Sequence, residues 1–125
     1  MNVAPGMVAR RAGWAARGHG GWWAFAVHRI SGIALSVFLP VHFLALAQAL
    51  AGEAALDGFL RWTERPWVKV SEIVLVFLLA VHLAGGVRLL AIEFGGYVSR
   101  WQPTLIAAAF AVSLAAALAF ALNLV

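Results

Sequence analysis

The chain has 125 residues, of which 64% are hydrophobic and only 11% charged, so it has no room for a separate catalytic domain and is typical of one small integral membrane domain. Its net charge of +4 comes from basic residues near the ends of apolar stretches, which membrane orientation explains without nucleic-acid binding. Because it has no cysteine, disulfides, iron–sulfur ligation and c-type haem attachment by this chain are excluded.

Three apolar stretches are long enough to cross a bilayer. The first includes a run of 22 residues, 30–51, in which His42 is the only ionisable side chain, and a helix needs about 20 residues to cross the hydrocarbon. The second has charged residues only toward its ends, and the third has none. We therefore predict an all-α integral membrane protein with three transmembrane helices, over about 28–51, 67–94 and 103–125.

Basic residues predict the orientation of these helices. Six of them lie in the N-terminal segment or in the connection after the second span, and three lie between the first two spans. Since basic residues are enriched in cytoplasmic loops, we expect a cytoplasmic N-terminus and an external C-terminus in a bacterial cytoplasmic membrane.

The sequence also predicts the structure of two segments outside the spans. Residues 1–21, rich in Gly, Ala and Arg, are expected to be a loosely ordered cytoplasmic segment preceding the three-helix anchor of 22–125. Between the first two spans, Leu56, Phe59 and Leu60 recur at helical spacing. They predict a short helix lying in the membrane interface.

His82 lies within the second span, in the stretch AVHLAGGVRLLAIEF (80–94). An imidazole in hydrocarbon is costly unless it is paired or binds a metal, and histidine is a common axial haem ligand. Gly86 shares its helical face and leaves space for a flat macrocycle, while Arg88, about 9 Å nearer the cytoplasm, can pair with a carboxylate such as a haem propionate. The alternative is that His82 bonds across a helix interface and the glycines only permit close packing.

A second cluster, His28-Arg29-Ile30-Ser31-Gly32, lies at the cytoplasmic mouth of the first span. Arg29 can bond a propionate or a headgroup carbonyl, and Ser31 adds a hydroxyl. The alternative interpretation is an interfacial anchor, in which the arginine snorkels to the lipid headgroups.

His42 follows Pro40 in the first span, about 20 Å beyond Arg29 on an ideal helix. It is a candidate metal ligand. Because proline donates no backbone hydrogen bond, His42 can equally serve to satisfy a carbonyl that Pro40 leaves free.

Two motifs in order carry a family resemblance: H-R-I-S-G opens the first span, and H-x-x-x-G-V-R, followed by an acidic residue and Phe, ends the second. Together they resemble the cytochrome b (C) subunit of succinate dehydrogenase and fumarate reductase membrane anchors, over roughly residues 22–94. The resemblance implies that His82 is an axial ligand of haem b. It also implies that His28 and Arg29 lie by the haem propionates and the quinone site, where Ser31 is a further candidate.

Two positions depart from that pattern. Phe25 stands where some members have a quinone-binding serine, and Leu89 stands where some have a histidine near a propionate. These departures, with His42 in mid-span, resemble instead the members that hold two haems. Counting along ideal helices from Arg29 and Arg88 offsets His42 from His82 by roughly 10 Å in depth, so we expect two haems, each completed by a histidine of a partner subunit.

The resemblance implies a membrane-anchor subunit of a succinate:quinone oxidoreductase, or of a fumarate reductase if the reaction runs in reverse. Electrons pass from a flavoprotein subunit through an iron–sulfur subunit to a quinone in the membrane, and a second membrane-anchor subunit shares the haems. FAD and iron–sulfur clusters belong to these partners, because this chain has neither a dinucleotide-binding fold nor a cysteine.

Two other functions remain open from the sequence. One is the cytochrome b subunit of another respiratory dehydrogenase, acting on hydrogen or formate. The other is a haem-free membrane anchor or transporter subunit, in which His42 and His82 pack or relay protons.

Overall fold

The computed structural model describes residues 20–95 and 101–125, which contain four helices and no strand. Three of the helices are long and apolar enough to cross a membrane. The all-α, three-span fold predicted from hydropathy is therefore confirmed. The helices are α1 (Gly20–Leu50), α2 (Glu53–Thr63), α3 (Pro66–Phe94) and α4 (Gln102–Leu124).

Helix α1 begins earlier than its apolar run. It has 31 residues from Gly20, or about 46 Å, whereas the hydrocarbon core is about 30 Å thick. Arg29 does not end the helix, because hydropathy marks where a chain enters lipid and not where its backbone stops being helical. Gly20 and Gly21 thus belong to α1, and the rest of the segment predicted to be loosely ordered, residues 1–19, lies outside the described residues.

The short helix predicted between the first two spans is present as α2. Gly52, just before it, has a φ of 111°, a backbone conformation that glycine adopts at no steric cost. The ring of Trp62 in the last turn of α2 meets the ring of Trp67 in the first turn of α3 edge to face, with centroids 5.2 Å apart. Pro66 then occupies the first turn of α3, where its missing N–H is no loss.

Helix α3 packs against both α1 and α4, and polar contacts join α3 to α4 at both ends. At one end Lys69 pairs with Glu64 at 2.9 Å and donates to the carbonyl of Leu124 at 3.3 Å. At the other end Arg88 donates to the side-chain oxygen of Gln102. The two helices are therefore antiparallel neighbours in fixed register.

Few side chains are buried within this single chain, and large apolar residues are exposed along all three long helices. Such a surface is costly in water, but lipid or neighbouring membrane helices cover it at no such cost. Among the described residues the most buried polar side chains are two serines, Ser31 and Ser113, which are 1% and 0% exposed.

Candidate functional site

The structure brings His28 of α1 against His82 of α3. Their imidazole rings are stacked, with centroids 4.3 Å apart and planes within 6° of parallel. The sequence placed each ring at a separate candidate site, and the fold joins them into one.

A glycine on the opposite helix makes room for each ring. A Cβ atom at Gly32 would lie 2.8 Å from Cε1 of His82, and one at Gly85 would lie 2.9 Å from Nδ1 of His28. Contacts this short do not occur between real side chains, so α1 and α3 approach closely because these positions lack a Cβ. The glycine spacing in the sequence pointed to Gly86 beside His82, whereas the glycines that the packing requires are Gly32 and Gly85.

Hydrogen bonding determines which ring nitrogen of His82 carries the proton. Its Nδ1 lies 3.1 Å from the carbonyl oxygen of His28 and 3.3 Å from Oγ of Ser31. A carbonyl oxygen can only accept, so Nδ1 is the donor, and in a neutral imidazole the lone pair is then on Nε2. Metal-binding histidines have this arrangement, with one nitrogen donating to a carbonyl and the other free for the metal.

The imidazole of His28 differs from that of His82 in its hydrogen bonding. Its Nδ1 is buried and has no hydrogen-bond partner in the described part of the chain. The two axial ligands of one iron face each other through their nitrogens, about 4 Å apart, whereas His28 and His82 are in contact through their ring faces. This geometry does not suit the pair as the two ligands of a single iron.

Both histidines border a cleft of about 660 Å³ on the surface of α1. Arg29, predicted to bind a propionate or quinone, lies in the same cleft, and its guanidinium has no ion pair or hydrogen bond with the described residues. One fixed charge among apolar walls is the arrangement of many small-molecule sites. The lining residues are Phe25, His28, Arg29, Gly32, Ile33, Ser36, Val37 and His82.

Ser31 and Gly86 lie beside this cleft but do not line it. The Ser31 hydroxyl donates to the carbonyl of His28 at 2.9 Å, so it supports the backbone that holds His82. A Cβ at Gly86 would meet Cε1 of His28 at 3.5 Å, an ordinary contact. The space beside Gly86 thus borders the ring of His28, and its contact with a macrocycle stays a prediction, as does a quinone contact of Ser31.

Arg88 faces a different cleft from His82. It lines a groove between α1, α3 and α4 that does not include His82, and its Nε donates to Oε1 of Gln102 at 3.0 Å. Gln102 is a lone polar residue before Pro103, and nothing in the sequence pattern indicates its contact with Arg88. The propionate role of Arg88 stays a prediction.

His42 lies far from the stacked pair. Because His82 contacts His28 and Gly32, its offset from His42 along α1 is about 15 to 21 Å, larger than the sequence estimate. His42 borders a cleft of about 420 Å³ with Glu72 and Phe38, and its ring centroid is 5.7 Å from that of Phe38.

His42 forms no hydrogen bond with any described residue, so it does not satisfy a carbonyl freed by Pro40. Residues 20–95 and 101–125 contain no group of three or more side chains that could by themselves enclose a metal ion.

Comparison with known proteins agrees with these features. Residues 11–122 match the family of succinate dehydrogenase/fumarate reductase transmembrane subunits. The membrane subunit SdhC of succinate dehydrogenase 2 from Mycobacterium tuberculosis is 33% identical over 86 residues, which cover 69% of this chain and 63% of that protein. The matched range includes all three spans, and the chain is a member of the succinate dehydrogenase/fumarate reductase transmembrane-subunit family.

Proposed function

We propose that this chain is the cytochrome b membrane anchor of a succinate:quinone oxidoreductase, with His82 as an axial ligand of haem b. The observation that carries the proposal is the hydrogen bond of His82 Nδ1 to the carbonyl of His28, which leaves the lone pair on Nε2. A bound haem b supplies a one-electron relay between the iron–sulfur subunit and the quinone. The role of this chain is to hold that group by Nε2 and to fix its imidazole by the α1 backbone.

Arg29 is the residue that we assign to anionic or carbonyl groups in the cleft. Its guanidinium, which has no partner among the described residues, lies in the same cleft as both histidines, and its planar fork of donors suits a propionate or a quinone carbonyl. His28 contributes a wall of the same cleft and, through its backbone, the acceptor for His82. Arg29 thereby orients substrate at the membrane boundary.

The proposal requires partner subunits. The chain has no cysteine, so the iron–sulfur clusters belong to an iron–sulfur subunit. It has no dinucleotide-binding fold among the described residues, so FAD belongs to a flavoprotein subunit. A second membrane-anchor subunit would supply the other protein ligand of the iron, because the ring of His28 stacks face-on against His82 and does not present a nitrogen opposite it. The exposed apolar faces of the long helices give such a subunit, and lipid, a surface to cover.

We further propose that His42 ligates a second haem nearer the outer face of a bacterial cytoplasmic membrane. It is unpartnered among the described residues, borders a cleft, and lies too far along α1 from His82 to share an iron. The distribution of basic residues supports a cytoplasmic N-terminus.

Purification of the whole complex through a tag on this chain tests the function. We expect a flavoprotein and an iron–sulfur subunit to co-purify, succinate to reduce a b-type haem, and added quinone to reoxidise it. A complex with those partners but no b-type absorption band would indicate a haem-free anchor. Co-purification with a hydrogenase or formate dehydrogenase would overturn the choice of enzyme.

A further inference from the structure

A groove between α1, α3 and α4 is separate from the histidine cleft and has a volume of about 540 Å³. It opens at the end of the bundle where α1 and α4 begin and α3 ends. Apart from Arg88, its walls are apolar or small. The lining residues are Gly20, Trp23, Ala24, Val27, Val81, Gly85, Arg88, Pro103, Ile106, Ala107, Ala109 and Phe110.

The groove has a polar mouth and an apolar interior. Gly20, Arg88 and Pro103 are its outermost residues on the three helices. Seven residues further into the bundle on each helix the lining side chains are all apolar, at a depth of about 10 Å. A molecule that fits this groove has a polar head at the membrane surface and an apolar chain directed inward.

Arg88 indicates that the polar head group is anionic. Both of its hydrogen bonds go to one neutral oxygen, Oε1 of Gln102, and no carboxylate of the described residues pairs with it. A guanidinium has five N–H donors, and three of those of Arg88 have no partner among the described residues. Gln102 holds this guanidinium in place, and charged N–H donors of this kind suit the oxygens of an anion.

We propose that this groove binds an anionic phospholipid of the surrounding leaflet, with its phosphate on Arg88 and an acyl chain between α1, α3 and α4. A free phosphate makes no use of the apolar walls, and His82, the proposed haem ligand, lines the other cleft and not this groove. The lipid would fill the space between three helices and hold α1 against the α3–α4 pair. The proposal does not depend on haem or quinone binding.

Native mass spectrometry of the purified complex tests the proposal. The complex is exchanged into nanodiscs of equal parts phosphatidylglycerol and phosphatidylcholine, and the lipid that survives detergent release is counted. We expect the wild-type complex to retain phosphatidylglycerol selectively and Arg88→Gln to retain about tenfold less, since charged hydrogen bonds are lost. Arg61→Gln, which removes an exposed arginine of α2, is the matched control and should retain lipid normally.

A second variant tests the contact with the acyl chain of the lipid separately from the contact with its head group. Ile106→Trp adds bulk to the groove wall and leaves Arg88 intact, so it should also abolish retention, and inorganic phosphate should not compete with the lipid. Wild-type retention of phosphatidylglycerol in both variants would overturn the proposal. It would also be overturned by displacement with phosphate, by loss of haem from Arg88→Gln, or by a photo-crosslinker at Ala107 that captures a partner subunit instead of lipid.

Discussion

The imidazole rings of His28 and His82 lie face to face with centroids 4.3 Å apart, although 54 residues separate them in the chain. Two glycines permit this contact, and one hydrogen bond to the backbone of α1 orients the ring of His82. Helix packing and the proposed ligand geometry therefore rest on the same few residues.

Gly32→Ala should disturb this packing. The added Cβ would lie 2.8 Å from Cε1 of His82, and overpacking of this kind costs about 1–3 kcal/mol. We expect lower thermal stability of the complex and a lower haem content. Gly21→Ala, on the same helix with nothing within 4 Å, is the control and should be neutral or slightly stabilising. Equal haem content and stability in both variants would contradict the tight α1–α3 contact.

Arg29→Leu should separate two activities of the complex. Loss of the guanidinium removes charged hydrogen bonds to quinone or propionate, so kcat/KM for quinone should fall about ten- to hundredfold. Electron transfer from succinate to a soluble artificial acceptor should persist, because it does not need the membrane site. Arg61→Leu, on α2, is the control. Wild-type rates with both acceptors in Arg29→Leu would leave Arg29 as a snorkelling anchor.

Haem quantitation tests whether His42 ligates a second haem. Two b haems per copy of this chain are expected, and His42→Ala should remove one of them and spare the other, because His42 and His82 are about 15 to 21 Å apart along α1. The pyridine haemochrome assay on purified complex, normalised to protein, gives the ratio. A single haem that survives in His42→Ala would show that His42 is not a ligand.

The absence of native cysteine makes the membrane orientation directly measurable. With a cytoplasmic N-terminus, Asp57→Cys in α2 should react with an impermeant maleimide in intact spheroplasts, and Arg10→Cys should react only after permeabilisation. The reverse pattern would invert the orientation inferred from the basic residues.

The three spans and the short helix α2 were predictable because hydropathy and helical spacing are local properties of the sequence. The contact of His28 with His82 was not predictable. The depth of each histidine in the membrane was counted from a different arginine, and the hydropathy pattern placed His28 at the start of the first span. Helix α1 begins at Gly20, so His28 lies about two turns inside it, level with His82. The Arg88–Gln102 bond was equally hidden, because it depends on the register of α3 against α4.

The most direct test of the central claim compares His82→Ala with His28→Ala in the purified complex by reduced-minus-oxidised spectra and haem content per chain. His82→Ala removes the proposed Nε2 ligand, whereas His28→Ala removes a stacked ring but keeps the backbone carbonyl that orients His82. We predict loss of one b haem in His82→Ala and its retention in His28→Ala. Full haem content in His82→Ala, with the complex assembled, would contradict the account.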